Sequence, residues 1–181
     1  THIAGRKANM ETALTEALYL TALERKGDVV HITSYAPLLA KEKHTQWSPD
    51  LIYFNNREVK PTTGYYVQKL YGQNAGSHYI PSQIILDNQD NRVKLRSGSS
   101  IVRDSKTGDV IVKLVNLLPV SVETEIQLPG IGSVQPSAVR TVLAGAPEST
   151  PLPVTDTIEV GVNFKQQLPA YSFTVIRLKT K

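Results

Sequence analysis

Val120-Ser121-Val122-Glu123-Thr124-Glu125-Ile126-Gln127-Leu128 alternates apolar or β-branched residues with polar ones at a period of two. A strand with this pattern buries one face and wets the other. Downstream, Ile158, Val160, Val162 and Phe164 repeat it against Thr157, Glu159, Gly161 and Asn163. Asp109 to Val115 is more evenly apolar, as a central strand is, and Val139–Leu143 and Tyr171–Leu178 complete the set. Eight of the 11 prolines lie beyond residue 80, mostly between these runs, where they punctuate turns. Short strands with regular turn signals predict an antiparallel β-sandwich from about Gln83 onward. Glu148 to Thr155, with Pro151 and Pro153, reads as an extended, mobile loop.

Upstream the period lengthens. From Met10 to Lys26, Leu14, Ala17, Leu18, Leu20, Ala22 and Leu23 form a broad helical stripe, with Asn9 as N-cap and Gly27 as the stop. Arg25 and Lys26 complement the negative end of its dipole. Val29–Tyr35 is a dense β-branched run that predicts a strand of a parallel sheet covered on both faces. Leu51-Ile52-Tyr53-Phe54 is a second short strand, and Pro61-Thr62-Thr63 opens a helix through Tyr65, Tyr66, Val67 and Leu70 that Gly72 stops. Helix, strand, long loop, helix is the rhythm of a βα-barrel or a doubly wound sheet. Two helices and one or two strands close neither, so this half is incomplete. The class is mainly β (α+β overall), with residues 1–80 and 81–181 as separate units and the boundary near Tyr79–Ser82. Thr1 in place of a methionine fits a piece of a longer protein.

The 181 residues are 40% hydrophobic and 20% charged, which suits a globular chain able to bury a core. No apolar stretch is long enough to span a bilayer, so no membrane helix is expected. The absence of cysteine excludes disulfides, thiolate metal sites and cysteine nucleophiles. The net charge of +4 divides evenly between the two halves, with 9 basic and 7 acidic residues in 1–80 and 11 and 9 beyond. A nucleic-acid footprint would concentrate that charge, so no nucleic-acid partner is expected. Lys41, Lys43 and His44, and the tail residues Arg177, Lys179 and Lys181, read as solvated surface.

Asp104-Ser105-Lys106-Thr107-Gly108-Asp109 matches neither a P-loop nor a calcium loop and reads as a hairpin turn with Gly108 at positive φ. His2, His31, His44 and His78 show no metal-ligand spacing, and His31 reads as a hydrogen-bonded core residue. No metal or other cofactor is indicated. The loop from Pro37 to Pro49 leaves the carboxyl end of the expected parallel strand, where barrel and open-sheet sites lie. It carries the sole tryptophan, Trp47, with Gln46 before it and Asp50 and Tyr53 after it. An aromatic face beside amide and carboxylate groups suits a sugar; packing of the loop by Trp47 is the equal alternative. Asp50, following Ser48-Pro49, also fits a turn or cap.

The run Ala17-Leu18-Tyr19-Leu20-Thr21-Ala22-Leu23-Glu24-Arg25-Lys26-Gly27-Asp28-Val29-Val30 resembles a segment of glycoside hydrolase family 51. So do Ser34-Tyr35-Ala36-Pro37-Leu38, Gln46-Trp47-Ser48-Pro49-Asp50-Leu51-Ile52-Tyr53-Phe54-Asn55, Tyr65-Tyr66-Val67-Gln68 and Leu168-Pro169-Ala170-Tyr171-Ser172-Phe173-Thr174-Val175. The family members concerned are retaining α-L-arabinofuranosidases acting on arabinoxylan, arabinan and related polymers. The resemblance implies the last βα part of a catalytic (β/α)8 barrel followed by a jelly-roll β-sandwich. It places the two catalytic glutamates on earlier barrel strands, with no matching glutamate here, so no residue of this chain is catalytic.

The resemblance also puts Trp47 and its neighbours beside the arabinose subsite. Some members place a glutamine shortly after this tryptophan; here Ser48-Pro49-Asp50 stands instead, and Asp50 is the substitute acceptor. Trp47, Asp50 and Gln46 are thus the expected substrate-binding residues. The implied partners are an arabinose-containing polysaccharide or oligosaccharide, the rest of the barrel and, as in some members, further copies of the chain. The substrate class favours a secreted or periplasmic setting. The alternative is a non-catalytic carbohydrate-binding module, which would display exposed aromatic platforms; beyond residue 80 the chain offers only Phe164, Tyr171 and Phe173.

Overall fold

Every residue of one strand, Val110–Asn116, is buried, because that strand is covered on both faces. In the computed structural model, which describes residues 7–180, it is the sixth strand in chain order (β6). Thr1, His2 and Lys181 lie outside the described residues. Alternate β6 side chains enter two different cores: Ile111 and Val115 face one way, Val110, Val112 and Leu114 the other. β11 (Ser172–Thr180) does the same, with Phe173 and Val175 against Ile176 and Leu178. Both strands sit centrally in a six-stranded antiparallel sheet ordered β4 (His78–Tyr79), β5 (Ser97–Arg103), β6, β11, β8 (Val134–Ala144), β9 (Val154–Glu159).

Two layers flank this sheet. On one face pack α1 (Met10–Glu24) and α2 (Thr63–Gln73), sharing a core with Val102, Ile111, Val115, Leu143, Phe173 and Val175. On the other lies the antiparallel pair β7 (Val122–Gln127) and β10 (Asn163–Leu168), in register Phe164 to Ile126 and Leu168 to Val122. The sandwich is thus real, with a second sheet of two strands. The period-two alternation of residues 120–128 holds: Ile126 and Leu128 are buried while Ser121, Glu123, Glu125 and Gln127 are exposed.

The run Ile158–Phe164 is not one strand. Ile158 belongs to β9 in the large sheet and Phe164 to β10 in the small one, with the chain crossing between them at residues 160–162. Ile158, Val160 and Phe164 all pack into the same core, so the period survives the crossing. β5 opens with polar Ser97-Gly98-Ser99-Ser100, yet residues 98–100 are buried under α1. A Cβ on Gly98 would stand 2.7 Å from Leu18 Cδ2 and 3.1 Å from Thr21 Oγ1, so α1 lays its side chains directly on this glycine. Residues 83–96 hold no strand, only coil and the short α3 (Asn91–Lys94).

α1 starts as the sequence predicts. Asn9 Oδ1 accepts from the Thr12 amide at 3.1 Å, and Thr12 Oγ1 accepts from the Asn9 amide at 3.1 Å, a reciprocal cap. The Met10 and Glu11 amides donate to the carbonyls of Ser149 and Pro147 at 2.9 and 3.0 Å. The 148–155 segment is therefore tied to the helix start rather than loose, and Asn9 Nδ2 also donates to Glu148. α1 stops at Glu24, with Arg25 as C-cap in αR conformation; Gly27 has no positive φ and is not the stop. Arg25 instead donates to the Ser99 carbonyl on β5 at 2.7 Å. α2 is capped by Thr62 and runs through Gly72 to Asn74, whose side-chain amide donates to the Leu70 carbonyl.

Lys113, in the middle of β6, is 0% exposed. Its ammonium donates to Glu24 Oε1 at 2.6 Å and lies 5.3 Å from the Tyr71 ring centroid. Ser100 Oγ donates to the other Glu24 oxygen. Tyr71 stacks on Phe173 at 5.0 Å and donates to the Ala17 carbonyl at 2.9 Å. At the sheet's end the 104–109 turn forms with Gly108 at φ +78. Arg177 is not solvated surface: it donates to Asp109 at 2.6 Å and Asp104 at 3.0 Å.

The Val29–Tyr35 strand does not form. Residues 30–35 are coil, Val29 is 73% and Ile32 87% exposed, and His31 is exposed rather than in a core. A continuous apolar strand needs ladder partners on its edges, and no described strand pairs with it. The order instead begins at β1 (Leu39–Lys41), parallel to β2 (Ile52–Phe54), which pairs antiparallel with β3 (Val59–Pro61).

Candidate functional site

The β1–β2 pair is the foundation of the loop that carries Trp47. Leu39, Ala40 and Lys41 face Ile52, Tyr53 and Phe54, and the Leu51 and Ile52 amides donate to the Pro37 and Leu38 carbonyls at 3.2 and 3.0 Å. The two feet of the loop are thereby bound together. Lys43 takes φ +64 at the first bend, and the His44 amide closes that bend on the Lys41 carbonyl at 3.0 Å. The Ala36–Pro37 and Ser48–Pro49 peptides are cis.

Within the loop, Thr45 is the hub. Its hydroxyl oxygen accepts from the Trp47 amide at 3.1 Å, and its proton faces the Asp50 carboxylate and the Trp47 carbonyl, each at 3.1 Å. The Asp50 amide donates to the Tyr53 phenol oxygen at 2.9 Å. Outside, Glu42 accepts from Asn55 at 2.8 Å and pairs with Lys60 at 2.9 Å. Those contacts, Lys60 foremost, hold its carboxyl below the usual range.

Trp47 is 55% exposed, and Gln46 beside it is exposed. Asp50 is 1% exposed, its carboxylate turned inward to Thr45. The three expected site residues therefore share one loop but not one surface: Trp47 and Gln46 line the outside, and Asp50 braces the inside. An exposed indole beside an amide can stack on a C–H face and bond a hydroxyl. It offers no acid, base or nucleophile. Thr45 escaped the sequence reading, although a hydroxyl two residues before Trp47 is the usual sign of such a turn.

At the foot of the loop Tyr35 donates to Glu16 Oε1 on α1 at 3.0 Å. Burial raises the Glu16 carboxyl, a shift the Tyr35 bond partly offsets. Tyr35 in turn is pushed up by burial and by the charge of Glu16. Among the described residues no group of three or more His, Asp or Glu gathers as a metal would require, and no helix is long and apolar enough to cross a membrane.

A family model described as the α-L-arabinofuranosidase C-terminal domain matches residues 1–172. Over 73 residues, 40% of this chain and 9% of the relative, the sequence is 49% identical to an extracellular exo-α-L-arabinofuranosidase of Streptomyces chartreusis. Over 132 residues, 69% of this chain and 19% of the relative, it is 34% identical to a probable α-L-arabinofuranosidase A of Aspergillus terreus. The solved structure of the arabinose-bound α-L-arabinofuranosidase MgGH51 superposes with a TM-score of 0.88 and 33% identity, over 98% of this chain and 29% of that one. The chain thus spans a small part of the length of its relatives. With the family model covering nearly all of it, the chain belongs to the C-terminal domain family of the α-L-arabinofuranosidases of glycoside hydrolase family 51.

Proposed function

We propose that the chain is the C-terminal part of a retaining α-L-arabinofuranosidase that releases terminal arabinofuranosyl residues from arabinoxylan or arabinan. In this reading residues 1–80 complete the catalytic barrel and 81–181 form the accessory sandwich, which buries barrel helices. The rest of the barrel covers the exposed apolar residues Val29, Ile32, Leu38 and Leu39. The chain's own role at the site is to form the pocket rim. The observation that carries this is the exposed Trp47 on a loop braced from within by Thr45 and Asp50. The indole stacks on the furanose C–H face and Gln46 bonds a hydroxyl.

A retaining mechanism needs two carboxylates about 5 Å apart, one to attack and one to protonate. Glu16, Glu24, Glu42 and Asp50 are each held by a protein partner: Tyr35, Lys113, Lys60 and Thr45. In this reading both catalytic glutamates stand on earlier barrel strands, outside these 181 residues, and the isolated chain is inert. A binding module is disfavoured because Phe173 is buried and neither Phe164 nor Tyr171 is exposed. Titrating the sole tryptophan's fluorescence with arabinotriose tests the rim role: a saturable shift, absent with cellotriose, is expected. No shift at millimolar arabinotriose would remove Trp47 from the rim.

A further inference from the structure

We infer that Glu16, acting through Tyr35, is a positioning residue that sets the loop presenting Trp47. The inference rests on the rim role proposed for that loop, but the mechanical part of it stands on the geometry alone. The segment leading into the loop has no ladder of its own: residues 30–35 are coil and largely exposed. What fixes its end is a side-chain bond, Tyr35 Oη to Glu16 Oε1 at 3.0 Å. Two residues later the Pro37 carbonyl takes the Leu51 amide, which clamps the two feet of the loop together. Beyond the clamp, the Thr45, Asp50 and Tyr53 bonds make the loop one braced unit. A displacement at Tyr35 is thus carried to Trp47 rather than absorbed between them.

Glu16 is built to hold that position. It projects from α1, whose Ala13, Leu14 and Ala17 are anchored in the core shared with the large sheet. Its second oxygen, Oε2, is buried without a partner and faces the first turn of α2, where a Cβ on Gly64 would stand 2.9 Å away. The carboxyl is thereby wedged between two helices, with its one made bond directed at the loop's foot. Burial raises its proton affinity, and loss of the Tyr35 hydroxyl would take away the one hydrogen bond this carboxyl makes among the described residues. Across the loop the Asp50 carboxylate adds a smaller push on Tyr35 in the same direction as Glu16.

The test needs no sugar at first. Trp47 is the only tryptophan, so acrylamide quenching of its emission reports the loop directly. Tyr35→Phe and Glu16→Ala are expected to raise the quenching constant, while Glu16→Gln, whose carbonyl still accepts from Tyr35, stays near the parent value. In arabinotriose titrations the same two variants lose about fivefold in affinity, the size of one hydrogen bond's net contribution, and Glu16→Gln restores it. Far-UV circular dichroism of each variant confirms that the sandwich is folded. Unchanged quenching in folded Tyr35→Phe would overturn the inference, as would failure of Glu16→Gln to rescue. Altered quenching without any arabinotriose binding by the parent chain would instead refute the rim role and leave the strut standing.

Discussion

Replacing Glu24 by Gln should cost far more than the loss of a surface ion pair, because its partner Lys113 cannot reach water. Lys113 is 0% exposed and Glu24 is 15% exposed in its side chain, so the pair is desolvated on the lysine side and partly wet on the other. Removing one member of a buried pair typically costs about 3–5 kcal/mol. The residual exposure of Glu24, and the Tyr71 ring that still faces the ammonium, pull this down to about 2–3 kcal/mol. For a chain of this length each kcal/mol moves Tm by about 2–4 °C, so Glu24→Gln should melt about 4–12 °C lower. Lys113→Met in the same background should recover most of that loss, since an apolar side chain of similar volume leaves no buried charge.

The pH dependence has a definite sign. Burial holds the Lys113 ammonium below its ordinary value of 10.5, against the pull of Glu24. The unfolded chain then binds the extra proton between the two values, so stability rises with pH through that window. Without Glu24 the folded value drops further, and the rise begins at lower pH. Urea denaturation of the parent and of Glu24→Gln across the alkaline range reads both effects. A Glu24→Gln protein within about 0.5 kcal/mol of the parent, with the same pH profile, would refute the reasoning.

Phe173→Ala should destabilise by about 3–5 kcal/mol, read by urea denaturation, because Phe173 is fully buried and stacks on Tyr71. Gly76→Ala should cost about 1–3 kcal/mol in the same assay, since Gly76 has φ +67 and its Cβ would stand 2.6 Å from Val102 Cγ2. Asp104 has its carboxyl held below 3.8 by the Lys106 amide and, less strongly, by Arg177. Its contribution is complete above that value and is lost as pH falls through the lower folded one, so Asp104→Asn should flatten the acid limb of a melting profile.

Much of the β half was legible because its physics is local. Glu123, Glu125 and Gln127 declare the wet face of β7 whatever lies opposite, and Asn9 ahead of a helical stripe declares a helix start. What escaped depends on distant partners. Ser97-Gly98-Ser99-Ser100 carries no apolar period and is not among the expected strands, yet α1 covers it, and Arg177 looks like tail decoration until the 104–109 turn folds back to it. Lys113 interrupts an apolar strand, but its counter-ion lies 89 residues away. Val29–Tyr35 misled in the opposite direction: its β-branched composition calls for neighbours that no described strand supplies. At the site, Trp47 and Gln46 stood out by residue type, whereas the inward turn of Asp50 follows from Thr45 and Tyr53, which only the folded loop brings to it.

The most direct test of the central claim is release of arabinose from a chromogenic α-L-arabinofuranoside, measured for this 181-residue chain and for the complete reading frame side by side. Turnover by the complete protein and none by the chain is the predicted result. Turnover by the purified chain that tracks its own elution and is lost with its unfolding would contradict the account, and would place the catalytic carboxylates within these residues.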